Sequence, residues 1–286
     1  MDAKVFDARP CFLGEGPLWH PEREQLFWFD IINRKLLTRQ AGSEREWTFS
    51  EIVSAAGWID RDHLLVASES ALLKFDIETG EHEGVAALDI GEGRRTNDGR
   101  ADPWGGFWIS SMGKKAETDA GAIYRFYRGK VVKLFSGITI PNAICFSPDR
   151  SHGYFADTDR GIVKRVRLDA ETGAPVGEPE VFLDLAREGL NPDGAVIDAD
   201  GNMWCAQWGA GRVAVYDPRG AFLKAVEIGA PHSSCPAFGG PDFSTLYCTT
   251  AREGMDEDAL AAHPQSGMVF VLEDAGRGKA EPAVLI

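Results

Sequence analysis

Short apolar runs alternate with clusters of turn-forming residues along almost the whole chain. Runs rich in Val, Ile, Phe, Trp and Tyr are broken every 8–12 residues by Gly, Pro, Asp or Asn. That is the pattern of strands joined by tight turns in an all-β sandwich, barrel or propeller. The 3.6-residue apolar spacing of an amphipathic helix is nearly absent. Two short segments, Leu183 to Glu188 and Asp256 to Ala262, read as helix-like loop inserts.

Internal repetition chooses among the all-β alternatives. The repeating unit is an opening residue, an apolar strand, a polar turn and a second apolar strand. It occurs at GEGPLWHPEREQLFWFD (14–30), SAAGWIDRDHLLVASES (54–70) and NDGRADPWGGFWISSM (97–112). It returns at PNAICFSPDRSHGYFADT (141–158), PDGAVIDADGNMWCAQW (192–208) and SCPAFGGPDFSTLYCTT (234–250). Each turn supplies Asp, Asn, Pro or Gly where a hairpin needs it. The second-strand positions Phe27, Leu65, Phe107, Tyr154, Met203 and Leu246 lie 38 to 49 residues apart. Further apolar runs at 71–80, 121–129, 161–169, 211–220 and 267–274 read as the next strand out. The expectation is a six-bladed β-propeller with four-stranded blades, a single domain over residues 1–286. An array of blades must hide its strand edges, so the N-terminal KVFDARPCF (4–12) is expected to pair with the last blade.

Composition narrows the setting. With 44% hydrophobic and 26% charged residues, the chain can bury a large core and is not of disordered type. A net charge of −14 without any Lys/Arg-rich run argues against nucleic acid and membrane partners. It suits a soluble protein handling small molecules, as a monomer or weak homo-oligomer. Cys11, Cys145, Cys205, Cys235 and Cys248 are widely spaced with no C-x-x-C pair, the pattern of reduced, buried thiols. The N-terminal MDAKVFDARP has no apolar signal core and no run approaches a membrane span, so the cytoplasm is the expected location.

The opening residues carry the candidate chemistry. They are Glu15, Asn97, Asn142 and Asp193 in units one, three, four and five. The innermost strands of a propeller surround its axis, so equivalent opening positions meet at one mouth of the channel. Two carboxylates and two amides facing one another need a cation to relieve repulsion and desolvation. Oxygen donors suit Ca²⁺, Mg²⁺ or Mn²⁺, and open positions accept Zn²⁺ or Fe²⁺. Taken singly, each of these residues is an ordinary turn former; their recurrence at matching places favours a metal site.

The segments LGEGPLWH (13–20), RTNDGRADPWGGFWISSM (95–112), IPNAICFSPD (140–149), NPDGAVIDADGNMW (191–204) and FGGPDFSTLYCTTA (238–251) resemble the SMP-30/gluconolactonase/regucalcin family, in order along essentially the whole chain. The resemblance implies a propeller that holds one divalent metal ion (Ca, Zn, Mn, Mg or Fe(II)) through Glu15, Asn142 and Asp193. It implies Arg95 and Asn97 as substrate contacts and a sugar lactone as the small-molecule substrate. Lys114 and Lys115 stand where mammalian members place an acidic substrate contact, and Glu117 is the nearest acid that could serve instead. Asp193 is the candidate general base for attack of water on the lactone carbonyl. Arg95 would stabilise oxyanion charge or bind sugar hydroxyls; its alternative is an ion pair with Glu92 or Asp98. A non-catalytic, calcium-binding regulatory propeller is the competing reading, since it would share the same ligands.

Trp58 and Trp208 are candidates for an apolar face against a sugar ring, and His232 for the cavity wall, against packing roles for all three. The DADGN at 198–202 imitates the start of a calcium-binding loop but lacks the twelfth-position Glu, so it reads as a hairpin turn. No G-x-S-x-G elbow, P-loop or dinucleotide fingerprint supports serine-hydrolase or nucleotide chemistry.

Overall fold

The computed structural model describes residues 3–40 and 42–286, so the first two residues of the N-terminal stretch and residue 41 lie outside the described set. Six four-stranded antiparallel sheets form a six-bladed β-propeller. The inner strands are Gly14–His20, Val53–Asp60, Arg94–Ala101, Pro141–Phe146, Asn191–Ile197 and Ser233–Gly239. Each inner strand touches the inner strand of the next blade, and the last returns to the first, which closes the ring. The second strands, Gln25–Asp30, His63–Ser68, Phe107–Gly113, His152–Asp157, Met203–Trp208 and Thr245–Thr250, each contain the apolar marker read from the sequence. Val269–Leu272 is the third strand of blade six, and Lys4–Asp7 pairs beside it as the fourth, as the closure argument requires.

Aromatic side chains lock neighbouring blades. Trp108, from the second strand of blade three, meets Phe146 of blade four edge-on at 5.1 Å and 88°. Trp204 of blade five meets Phe238 of blade six at 5.3 Å and 82°. Both tryptophans are fully buried. Each such ring contributes roughly 1.5–3 kcal/mol through burial, and its edge-on partner adds about 0.5–1.5 kcal/mol.

Every inner strand carries a register shift against its second strand. Bulges re-aim side chains and occur next to functional sites. Here they lie near the N-terminal ends of the inner strands, where the opening residues sit. The equal register expected for those residues is therefore corrected. Glu15 and Asn142 are the last paired residues before their bulges, opposite Phe29 and Ala156. Asn97 and Asp193 lie inside theirs.

The helix-like segments also resolve. Residues 183 and 184 end an outer strand, Pro175–Asp184, and only Ala186–Glu188 form a 3₁₀ turn. Glu257–Ala262 is an α-helix capped by the Asp256 carboxylate on the Ala259 amide. All five cysteines are buried free thiols. Among the described residues no helix is long and apolar enough to cross a membrane.

Candidate active site

A cavity of about 510 Å³ opens at the axis where the inner strands begin. Its walls include Glu15 from blade one, Arg95 and Asn97 from blade three, Asn142 from blade four and Asp193 from blade five. Four blades thus bring together five side chains singled out in the sequence. All five are buried, none more than 6% exposed.

The backbone that delivers them is unusual. Gly16 and Ala143, directly after Glu15 and Asn142, both adopt left-handed φ values, 55° and 54°. Glycine accepts that conformation freely, whereas alanine does so at a cost of about 1 kcal/mol or more. The Gly16 amide donates to Glu15 Oε2 at 2.9 Å. Asn97 Nδ2 donates to Asn142 Oδ1 at 2.9 Å and to the Pro141 carbonyl at 3.0 Å. Asn142 Nδ2 donates to Thr158 Oγ1 at 2.9 Å, which fixes the amide and leaves its oxygen a second lone pair.

Electrostatics mark the centre of the site. Burial, then the charges of neighbouring acids, push Glu15 up to about 8 and Asp193 well above the usual carboxylate range. For Glu15 the main neighbouring acid is Asp98; for Asp193 they are Glu15 and Asp98. Burial pulls Arg95 down, and the carboxylates of Glu253, Glu15, Asp193 and Glu69 act against that. Arg95 makes no ion pair with Glu92 or Asp98; its Nη1 donates to Asn97 Oδ1 at 2.6 Å and to the Thr96 carbonyl at 3.1 Å.

Deeper along the axis lie Asp98 and Arg100, the latter paired with Glu281. The carboxyl groups of Glu15 and Asp193 beside the neutral amide oxygen of Asn142 are an all-oxygen donor set whose two charges would match one divalent cation, so it fits such an ion. Among the described residues no group of three or more His, Cys, Asp or Glu side chains is placed to hold a metal ion; the third oxygen-bearing side chain beside Glu15 and Asp193 is the amide of Asn142.

Other expectations separate. Glu117 is absent from the cavity wall. Its carboxylate accepts the Lys115 amide at 3.1 Å and lies over Gly113, so the structure does not bring it together with the other five. Lys114 and Lys115 do line the mouth, and Lys114 is paired with Glu69 at 2.6 Å. Trp208 lines the cavity and stacks on His232 at 4.3 Å and 15°, so His232 backs the wall. Trp58 lies elsewhere, donating to the Glu281 carbonyl. Asp198 accepts the Asp200 and Asn202 amides and Trp204 Nε1, closing a hairpin turn as read. Asn191, Thr158 and Glu253 also line the cavity and escaped the sequence reading, although all three lie inside or beside the motif segments.

Comparison with known proteins follows the same outline. The chain is similar to the crystal structure of a calcium-binding protein, regucalcin, from Agrobacterium tumefaciens, at 42% identity and TM-score 0.97, covering 99% of this chain and 97% of that one. It is 34% identical to the 6-deoxy-6-sulfogluconolactonase of Pseudomonas putida over 98% of this chain and 97% of the relative. It is also 34% identical to the L-arabinolactonase of Azospirillum brasilense, over 94% and 90%. The model of the SMP-30/gluconolactonase/LRE-like region matches residues 13–252. The chain belongs to the SMP-30/gluconolactonase/LRE-like family.

Proposed function

We propose that this protein hydrolyses a sugar lactone to the aldonic acid with the help of one divalent metal ion, the whole propeller acting as a single unit. The observation that carries the reading is the convergence of Glu15, Asn142 and Asp193, with Arg95 and Asn97, on one cavity. Names of relatives support it: a sulfogluconolactonase, an arabinolactonase and a pentonolactonase.

Glu15, Asn142 and Asp193 would hold the ion, and oxygen-only donors favour Ca²⁺, Mg²⁺ or Mn²⁺ over softer ions. A bound divalent ion supplies polarisation of the carbonyl and a lowered pKa for water. Asp193 takes the proton from the water whose oxygen bonds to the carbonyl carbon. As the ring C–O bond breaks, that proton passes to the departing alkoxide, giving the open-chain acid. Arg95 offers the remaining donors of its guanidinium to the developing oxyanion or to sugar hydroxyls. Asn97 holds Asn142 in place. The Trp208 face, backed by His232, packs on the sugar ring.

The test is hydrolysis of glucono-, xylono-, arabino- and galactonolactone by metal-stripped protein reloaded with one divalent ion at a time. A metal-stimulated rate on at least one is expected, and Asp193→Ala should lose metal retention and activity together while staying folded. Activity surviving in Asp193→Ala would break the ligand and base assignment. The calcium-binding designation of the Agrobacterium tumefaciens relative favours a second reading, a non-catalytic calcium-binding propeller. Calcium binding without hydrolysis of any lactone would select it.

A further inference from the structure

The far end of the channel is crossed by the segment that follows Val269–Leu272. It runs along the turns at the other end of the blades. The Gly278 amide donates to the Phe243 carbonyl at 2.9 Å, and the Ala199 amide to the Arg277 carbonyl at 2.7 Å. The Val284 amide donates to the Trp58 carbonyl and the Leu285 amide to the Gly105 carbonyl, both at 2.8 Å. Val284 is buried against Gly57 of the inner strand of blade two. This segment sends one carboxylate inward. Glu281 pairs with Arg100 on the inner strand of blade three, their side chains 12% and 8% exposed.

Arg100 does more than neutralise Glu281. Its Nε donates to the Ile144 carbonyl at 2.9 Å and its Nη2 to the Ala195 carbonyl at 3.1 Å. Ile144 and Ala195 each lie two residues beyond a proposed metal ligand, Asn142 and Asp193, Ile144 inside its bulge and Ala195 where pairing resumes. Asp98, two residues before Arg100, accepts the Ile144 amide at 2.7 Å. One guanidinium therefore grips the backbones of blades four and five just beneath the ligands they present.

We infer that Glu281 and Arg100 form a positioning pair, through which the segment crossing the far end sets the geometry and charge of the metal site. Glu281 keeps the guanidinium aimed across the axis. With the carboxylate gone, Arg100 is a buried cation short of its partner, free to turn toward Asp98 and release the Ile144 and Ala195 carbonyls. The inference rests on the metal reading above and goes beyond it, because neither residue lines the cavity. Outer-shell partners of metal ligands typically change affinity by about 10- to 100-fold.

The test uses the full chain, stripped of metal and titrated by calorimetry with Ca²⁺, Mn²⁺ and Zn²⁺ separately. Glu281→Gln, which keeps the size and removes the charge, should bind the ion taken up by wild type about tenfold more weakly or worse. Its far-UV circular dichroism should be unchanged. Glu281→Asp should recover part of the loss, and saturating metal should restore part of kcat. Arg277→Ala, which frees an exposed contact of the same segment with Asp200, should bind metal as wild type does. Equal metal affinity in Glu281→Gln and wild type, with only a lower Tm, would overturn the inference and leave the functional reading standing. A wild-type chain that binds none of the ions would overturn both.

Discussion

The bulge after Glu15 gives a prediction whose size follows from the structure. Gly16→Ala adds a Cβ at a residue with φ of 55°, 2.5 Å from the Ser54 carbonyl oxygen, 3.0 Å from Phe29 Cδ2 and 3.3 Å from Ala55 Cα. The left-handed backbone costs alanine about 1 kcal/mol. The stiffer unfolded chain offsets that by roughly 0.4–1 kcal/mol. What remains is overpacking against backbone atoms, typically 1–3 kcal/mol. The expected destabilisation is therefore about 2–3 kcal/mol, a Tm lower by roughly 5–10 °C for a chain of this size. The Ser54 hydroxyl donates to the Asn97 carbonyl at 2.6 Å, and Asn97 holds Asn142. A shift of Ser54 is thus passed to the site, and lactonase activity should fall at least about tenfold, a 1.4 kcal/mol effect. Urea unfolding followed by tryptophan fluorescence, with rates measured on the same sample, reads both. Ala143→Gly is the control at the matching position. It relieves the same φ but gives up a buried methyl and adds unfolded-state freedom, so it should stay within about 1 kcal/mol of wild type. Gly16→Ala within about 0.5 kcal/mol of wild type and fully active would refute the account of the bulge.

Four other outcomes are expected. Asp102→Ala removes the partner of buried Arg125 (Nε to Oδ2, 2.6 Å) and the acceptor for the Trp104 and Gly106 amides, and should cost about 3–5 kcal/mol in thermal or urea unfolding with little change in KM. Starting the chain at Ala8 removes Lys4–Asp7 and bares the edge of Val269–Leu272, so light scattering should report more self-association than the intact chain shows. Hydrogen bonds from Ser147 and Ser151 pull Asp149 down from 3.8 to about 2, so its contribution is present above pH 3.8 and lost as pH falls through 2. At this exposed site Asp149→Ala should therefore cost under about 1 kcal/mol at pH 7 and nothing measurable near pH 2. Trp208→Ala should raise KM for the lactone about tenfold with a smaller effect on kcat; an unchanged KM would remove Trp208 from the sugar platform.

The sequence made the blade count and the ring closure legible because turn chemistry and strand period are local. Phe27, Leu65, Phe107, Tyr154, Met203 and Leu246 all fall in second strands for that reason. The candidate site was legible as a set of residue types, but the way each is aimed was not. Ala143 conceals a left-handed residue that glycine would have announced, so the likeness of the Glu15 and Asn142 bulges is visible only in φ. The place of Glu117 was not legible either, because its charge says nothing about the Lys115 amide that holds it in its own loop over Gly113. Arg100 and Glu281 stand 181 residues apart and belong to no shared motif, so only the segment crossing the far mouth reveals that they meet. Their pairing bears on why a site of so few ligands can be ordered. In a ring each blade presents its ligand from a separate sheet, and adjacent inner strands hold one another by side-chain packing. A guanidinium spanning three blades beneath the ligands ties sheets that share no backbone ladder, and Glu281 makes that tie depend on the far side of the channel.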